Sequence, residues 1–308
     1  MYGFYEKVQN FEPFLFLCED GKSNCVGVLL AVKIKEGNFL KGFFSSRIVI
    51  YGGPVIIADE VKRLKILHLL LDSLVNKLKN RSIFIQFRNF FQWTDKEKEV
   101  FYKYGFSFKD RLNLIVNTVS YNKVLSNIKS TKKRQIRKAQ KEGVVIERAS
   151  DIEEVRVLYK LLLNLYKTKV KKPLPNWSFF KEFYQHGLNS NFGVILLVKL
   201  HDKIIGGILC PITGNKTIYE WYVVGADKKF KKYYPSVMAT WASINYALNN
   251  NIKTFDFMGL GKPDVNYGVR DFKLNFGNNI VNFGRFGRRS KYLYPTVEFI
   301  YNILKHLQ

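Results

Sequence analysis

Cysteine is scarce in this chain: Cys18, Cys25 and Cys210 are the whole complement of 308 residues. An odd number without paired short spacings leaves no disulfide framework and no cysteine-rich metal site. Histidine is almost as sparse. His68, His186, His201 and His306 are scattered, and no H-E-x-x-H occurs, so no metal or other cofactor is expected. No apolar run reaches the roughly 18 residues of a membrane-crossing helix. The opening MYGFYEKVQNFEP does not read as a signal peptide. These absences point to a cytoplasmic protein, or one held peripherally at the inner face of the cytoplasmic membrane. Acidic residues are also few, 25 against 50 Lys and Arg, for a net charge of +25. An excess of that size implies a polyanionic partner: nucleic acid, a nucleotide diphosphate or an anionic membrane.

Hydrophobic residues, by contrast, make up 47% of the chain and aromatics 16%, ample for folded cores and too many for disorder. The length suggests about two domains. The pattern predicts strands at 13–18, 24–34 and 46–51, the last broken by Gly52-Gly53-Pro54. A helix follows over 59–79, with Leu64, Leu67, Leu71, Leu74 and Leu78 recurring at three and four. Then come a strand at 82–88, a helix opened by a Thr94/Glu97 capping box, and a strand at 111–117. The second half predicts a helix over 129–143, a strand at 144–148, and a helix over 151–167 capped by Ser150 and Glu153. A short helix at 178–186 precedes three strands at 193–200, 203–212 and 216–224. A helix begins after Pro235, and a terminal helix covers 293–307. The first half repeats the later element order of the second, which marks tandem related domains. The domains are expected at 1–125, rejoined by the C-terminal helix at 290–308, and at 126–289. The fold class is α/β, with two mixed sheets flanked by helices.

One stretch draws the chemistry together: KTFDFMGLGKPDVNYGVRDFKLNFG, residues 253–277. Phe255 and Phe257 end a short strand, and alternation turns Asp256 to the other face. Gly259 and Gly261 open a loop. A second strand is predicted with Phe272, Leu274 and Phe276 on one face and Asp271, Lys273 and Asn275 on the other. Asp256 and Lys273 then share the non-core side of two strands, a plausible polar site at a sheet edge. Lys273, facing away from the apolar side, is expected to be removable without opening a cavity.

Positive charge is concentrated twice. KSTKKRQIRKAQKEG, residues 129–143, carries Lys132, Lys133, Arg134 and Arg137 on a helix whose Ile136 and Ala139 face inward. GADKKFKKYYPS, residues 225–236, carries Lys228, Lys229, Lys231 and Lys232 in a loop before a helix. Like charges this close repel by a few tenths of a kcal/mol per pair, a cost a bound polyanion removes.

The motifs Y-x-V-G-A-D, Y-Y-P-S, W-A-S-I-N-Y-A, F-D-F-M-G-L and G-V-x-D-F-K-L-N-F-G, spanning Tyr219 to Phe283, resemble the Fem family of peptidoglycan-bridge aminoacyltransferases. Looser similarity starts near Gly52. The resemblance implies two GNAT-like domains and transfer of an amino acid from aminoacyl-tRNA to the amine of a UDP- or lipid-linked muropeptide precursor. It ties Lys273 and its neighbour Phe272 to the transfer step, with Asp256 beside them. It places Lys171 and Lys172 near a phosphate-binding position, where relatives carry Arg, and Tyr222 at the acceptor site. It assigns the two basic segments to tRNA. The coiled-coil arm of some relatives is missing. A monomer is expected, with peripheral contact to the anionic membrane face.

The residues themselves leave alternatives open. No Ser-His-Asp or Cys-His pairing is evident, which favours direct attack over a covalent acyl-enzyme. The loop before Pro235 has no G-x-G to cradle a CoA pyrophosphate, and proline removes one donor. A GNAT-like enzyme using acyl-CoA in cell-surface glycan synthesis, or a non-catalytic RNA-binding protein, would still fit the charge and the element order.

Overall fold

The computed structural model describes residues 1–36, 45–190, 192–265, 268–291 and 293–295. The chain folds as two units, Met1–Arg111 with Asn282–Gln308, and Leu112–Val281. From residue 296 on, the expected terminal helix lies outside the described residues.

The first unit opens with α1 (Tyr2–Lys7), β1 (Phe11–Glu19), β2 (Cys25–Ile34), β3 (Arg47–Gly52) and β4 (Val55–Ile56). It continues through α2 (Glu60–Leu78), β5 (Phe84–Asn89), α3 (Asp95–Lys103) and β6 (Ser107–Lys109). Asp59 caps α2 by accepting from the Lys62 backbone N–H. Ile66, Leu67, Leu70, Leu71, Leu74 and Leu78 turn its apolar stripe onto the sheet. The Thr94/Glu97 capping box forms as expected, and Glu97 also pairs with Arg63 at 2.7 Å. The sheet runs β1-β2-β3-β5, then a returning strand at Arg285–Arg289, then β6. β3 and β5 are parallel, and the returning strand is antiparallel to both its neighbours. Phe286 on that strand is fully buried and stacks on Phe101, so the unit's core depends on residues from both ends of the sequence.

The second unit comprises β7 (Leu112–Asn117), α4 (Tyr121–Asn127), α5 (Ser130–Lys141), β8 (Val144–Arg148) and α6 (Ile152–Leu165). A π-helical turn at Tyr166–Val170 extends α6. After it come α7 (Trp177–Asn189), β9 (Gly193–Leu200), β10 (Lys203–Thr213), β11 (Thr217–Tyr219) and β12 (Tyr222–Gly225). A short 3-10 turn at Lys231–Tyr233 leads into α8 (Pro235–Asn249), β13 (Thr254–Asp256), α9 (Gly268–Lys273) and β14 (Ile280–Asn282), and the returning strand is β15 (Arg285–Arg289). The sheet order is β14-β7-β13-β11-β10-β9-β8, with β12 also on β10.

The structure departs from the sequence expectations at five places. β7 does not close the first unit: it pairs with β13, Val116 against Phe255, so the division falls at 111/112 rather than 125. β15 belongs to the first unit, because its Phe286 fills that core. The predicted strand at 216–224 is two strands, β11 and β12, which part at Glu220. The predicted strand through 272–276 is instead the end of a helix, α9, and the turn after it. The helix cap also slips by one residue. Asp151 accepts from Glu154 N–H, and Glu154 reaches back to Ser150 N–H at 2.8 Å.

Candidate functional site

The site grows from the way two parallel strands separate. β11 pairs with β13 residue for residue, Thr217 with Thr254, Ile218 with Phe255 and Tyr219 with Asp256. The last link is Glu220 N–H donating to the Asp256 carbonyl at 2.9 Å. Beyond it β12 follows β10, Tyr222 against Leu209. The chain after β13 instead follows β7, with Phe257 and Leu260 N–H donating to Leu114 and Leu112 carbonyls. A gap opens between the diverging strands. Three positive φ values turn the chain away there, at Met258, Gly259 and Gly261, the glycines adopting them without a Cβ penalty.

Four polar side chains sit at the fork. The Lys273 ammonium pairs with the Glu220 carboxylate at 2.8 Å, with side-chain exposures of 11% and 5%. It also donates to the Phe257 carbonyl at 2.6 Å and the Gly259 carbonyl at 3.2 Å. An ammonium has three donors, and these three acceptors take them. Asp256 is 2% exposed. It accepts from Asn113 Nδ2 at 2.7 Å and Met258 N–H at 2.6 Å. Burial is the main influence on its carboxyl, raising the pKa from 3.8 to about 6 against the pull of these hydrogen bonds and of Lys273, with Glu220 adding to the rise. Two carboxylates and one ammonium thus share a pocket cut off from water.

Lys273 and Asp256 therefore do come together, but not on a solvent-facing strand surface. Lys273 ends a helix, and its head group ties the loop after β13 to the end of β11. Removing it strands a buried carboxylate, so the expectation that it could be replaced without structural cost does not hold. Arg270 completes the anchoring by donating to the carbonyls of Leu260 and Pro263 at 2.9 and 3.1 Å, and to that of Lys262. Phe272 is half-buried, packs on Phe276, and lies under the Lys132 ammonium, 5.1 Å from its ring centre.

The basic segments meet. α5 packs against the Lys231–Tyr233 turn and against α8. Arg134, Arg137, Lys228, Lys229, Lys231 and Lys232 are exposed, while Lys132 and Lys133 are half-buried. The lysines alternate with rings: Lys229 and Lys203 over Phe230, Lys232 over Tyr233 and Lys132 over Phe272. Burial lowers the Lys132 pKa, partly offset by the charge of Asp227. That aspartate closes the N-terminus of α8. Its carboxylate accepts from Ser236 N–H at 3.1 Å and from the Ser236 hydroxyl. Gly225 abuts the same turn: a Cβ there would stand 2.2 Å from the Ser236 nitrogen.

Tyr222 lies in an aromatic group with Phe179, Phe180 and Tyr166. Tyr166 opens the π-helical turn, whose last carbonyl bond returns from Lys171 N–H at 2.8 Å. Lys171 adopts φ 50°, and both it and Lys172 are exposed. Single-turn π segments of this kind often mark functional positions. The sequence reading missed Glu220, Asn113, Asp227 and Arg270. A lone acid in the apolar run I-Y-E-W-Y-V-V was the available signal for Glu220, since unpaired carboxylates are almost never buried.

Residues 126–274 match the model of the acetyltransferase (GNAT) domain family. Among solved structures, FemX aligns over 96% of this chain and 92% of its own, at 16% identity and a TM-score of 0.72. The chain has the tandem GNAT-like fold of the Fem family. L-PGS from Bacillus licheniformis aligns over 97% of this chain and 90% of its own, at 13% identity and a TM-score of 0.59. A tandem GNAT protein from the clavulanic acid biosynthesis pathway covers 92% and 84%, at 8% identity and 0.56. No curated protein sequence matches the chain significantly. By its GNAT domain the chain is an acyltransferase. Among the described residues no helix is long and apolar enough to cross a membrane, and no cluster of metal-ligating side chains occurs.

Two outcomes follow from the fork. Lys273→Ala leaves the Glu220 carboxylate buried without its partner and should cost about 3–5 kcal/mol in urea unfolding, whereas Lys228→Ala on the exposed loop should change stability by less than about 0.5 kcal/mol. Asp256 binds its proton more tightly folded than unfolded. Between its unfolded pKa near 4 and its folded pKa of about 6, the folded state holds more protons, so this group's contribution to stability falls as pH rises and then levels off. Asp256→Asn should flatten that part of the stability profile measured by urea unfolding across the same range.

Proposed function

We propose that this acyltransferase moves an amino acid from aminoacyl-tRNA to the amine of a peptidoglycan muropeptide precursor. The amine nitrogen attacks the ester carbonyl carbon, an amide bond forms, and the ester bond to the terminal ribose breaks. The proton lost by the amine ends on the departing ribose oxygen. The step needs alignment, a neutral amine and stabilisation of the developing oxyanion.

The observation that carries the choice of donor is Asp227. In an acyl-CoA enzyme of this fold the helix N-terminus after the diverging strand is the natural seat for a pyrophosphate. Here the Asp227 carboxylate already accepts from the Ser236 N–H at that seat, and a second anion would meet it at close range. The positive charge lies next to that seat, spread over α5 and the 228–232 loop and interleaved with Phe230, Tyr233 and Phe272. Extended cationic surfaces with aromatic faces suit a single-stranded nucleic-acid end. The tRNA face is assigned to Lys132, Lys133, Arg134, Arg137, Lys228, Lys229, Lys231 and Lys232, and the acceptor to Lys171 and Lys172 for its phosphates and to Tyr222. Lys273 and Asp256 act as positioning residues in this reading. They fix the 257–261 backbone along one side of the fork, where Phe272 abuts the basic face. FemX and L-PGS, the similar structures, lend weight to a charged-tRNA donor with a cell-wall or lipid acceptor.

Neutralising Lys228, Lys229, Lys231 and Lys232 together should flatten the salt dependence of tRNA binding, because each phosphate contact contributes about 0.7 to the log–log slope on single strands and about 0.9 on duplex. An unchanged slope removes these lysines from the interface. The activity itself is tested with purified protein, charged tRNA and a UDP- or lipid-linked muropeptide. Transfer should need the charged tRNA, disappear after ribonuclease treatment and ignore added acetyl-CoA. Ribonuclease-resistant transfer from acyl-CoA would replace this reading, and transfer to phosphatidylglycerol but not muropeptide would change the acceptor.

A further inference from the structure

The first unit contains a cleft that the acyl-transfer reading does not use. It has a volume of about 430 Å³ and lies on the face of β5, β15 and β6 opposite the Phe87–Phe286 core. Register explains its composition. Arg285 stands directly across from Arg88 on one neighbour and from Lys109 on the other, so the three share one face. Gly287, between Gln86 and Ser107, forms the floor. A Cβ at Gly287 would come 2.7 Å from the Phe84 ring, so only glycine keeps this floor open. Arg111 and Arg289 complete the rim.

The charge here is uncompensated. Among the described residues, Arg88, Lys109, Arg111, Arg285 and Arg289 form no ion pair. Arg88 rests on Tyr51 and Gln86, with its guanidinium 5.2 Å from the Tyr51 ring centre. Burial first, then the charges of Arg88 and Arg111, lower the Arg285 pKa to about 10, with Tyr51 pulling weakly the other way. Like charges directly opposite on adjacent strands destabilise a sheet. A folded protein tolerates such a cluster most readily where an anion fills it.

We propose that this cleft is a binding site for a phosphate-bearing ligand, with Arg285 at its base and Arg289, Arg111 and Lys109 at its rim. Arginine prevails here, and its planar fork binds phosphate oxygens in pairs where lysine offers a point charge. The volume lies within the range of small-ligand pockets and accommodates a diphosphate or a phospholipid headgroup. The glycine floor lets a phosphate approach the backbone of β15. This site does not depend on the acyl-transfer assignment, since every residue in it belongs to the first unit.

The test uses the full chain with inorganic pyrophosphate as the soluble probe and phosphatidylglycerol–phosphatidylcholine vesicles as the lipid probe, against pure phosphatidylcholine. Pyrophosphate should raise the melting temperature of the wild type, as any ligand selective for the folded state does. Arg285→Gln should melt higher than wild type without ligand, having lost a desolvated and repelled charge, yet bind at least about tenfold more weakly, the loss of roughly one charged hydrogen bond. Should Arg285→Gln fail to fold, Arg289→Gln and Lys109→Gln on the exposed rim give the same comparison. Vesicle sedimentation that requires these residues, with no response to pyrophosphate, would assign the phosphate to a lipid headgroup. Binding of both probes unaffected by all three substitutions overturns the proposal, as does binding of neither by the wild type.

Discussion

The second unit depends on one buried ammonium. β11 and β13 run in register for three residues and then diverge, which leaves backbone carbonyls on the loop after β13 and a carboxylate at the end of β11 turned toward the same small volume. Each would be costly to bury alone. Lys273 meets Glu220 and the Phe257 and Gly259 carbonyls together, and so makes the divergence possible. The fork, the loop beside it and the placement of Phe272 next to Lys132 all follow. Parting strands need a device of this kind, because a sheet that opens loses ladder hydrogen bonds and must recover them from side chains.

This also explains which parts of the fold were legible in the sequence. α2 was plain because its leucines recur at helical spacing over about four turns, and the Thr94/Glu97 box was plain because its signal is local. The segment F-K-L-N-F alternates perfectly and reads as a strand, yet Arg270 and Lys273 bind carbonyls on the preceding loop, and those tertiary bonds wind 268–273 into a helix. Periodicity over five residues is too short to resist them. The break between β11 and β12 was hidden for a similar reason: nothing in I-Y-E-W-Y-V-V punctuates the run, and the break is set by where a strand distant in sequence, β13, ends. At the cap of α6 both Ser150/Glu153 and Asp151/Glu154 satisfy the same spacing, and the carboxylate at Asp151 prevails. The site was therefore half visible. That Lys273 and Asp256 lie together was legible, but their partners Glu220 and Asn113 were not, because pairing in space leaves no trace in spacing.

The charge of +25 is not one feature but at least two. On the second unit it is mostly lysine, exposed, set among aromatic rings and carried on a helix and a loop. Such a surface pays little desolvation and can follow an irregular polyanion, at the expense of geometric selectivity. On the β5–β15–β6 face of the first unit the local cluster is instead mostly arginine, fixed by strand register in a concave face and partly withdrawn from water. There the like charges cannot relax apart, since moving one means breaking the ladder that holds it.

The two arrangements answer to different ligands on physical grounds. An exposed lysine face works through the long-range field and is weakened by salt, so its partner must be large and highly charged to stay bound. A half-buried arginine cluster works at contact distance, where screening is weaker and each guanidinium can offer two aligned donors. A small phosphate compound suits contact-range donors of the second kind, while an extended polyanion draws on the long-range field of the first. Asp227 bears on the same division: its carboxylate accepts from the Ser236 N–H at the start of α8, which sets a negative charge beside the seat a compact diphosphate would need.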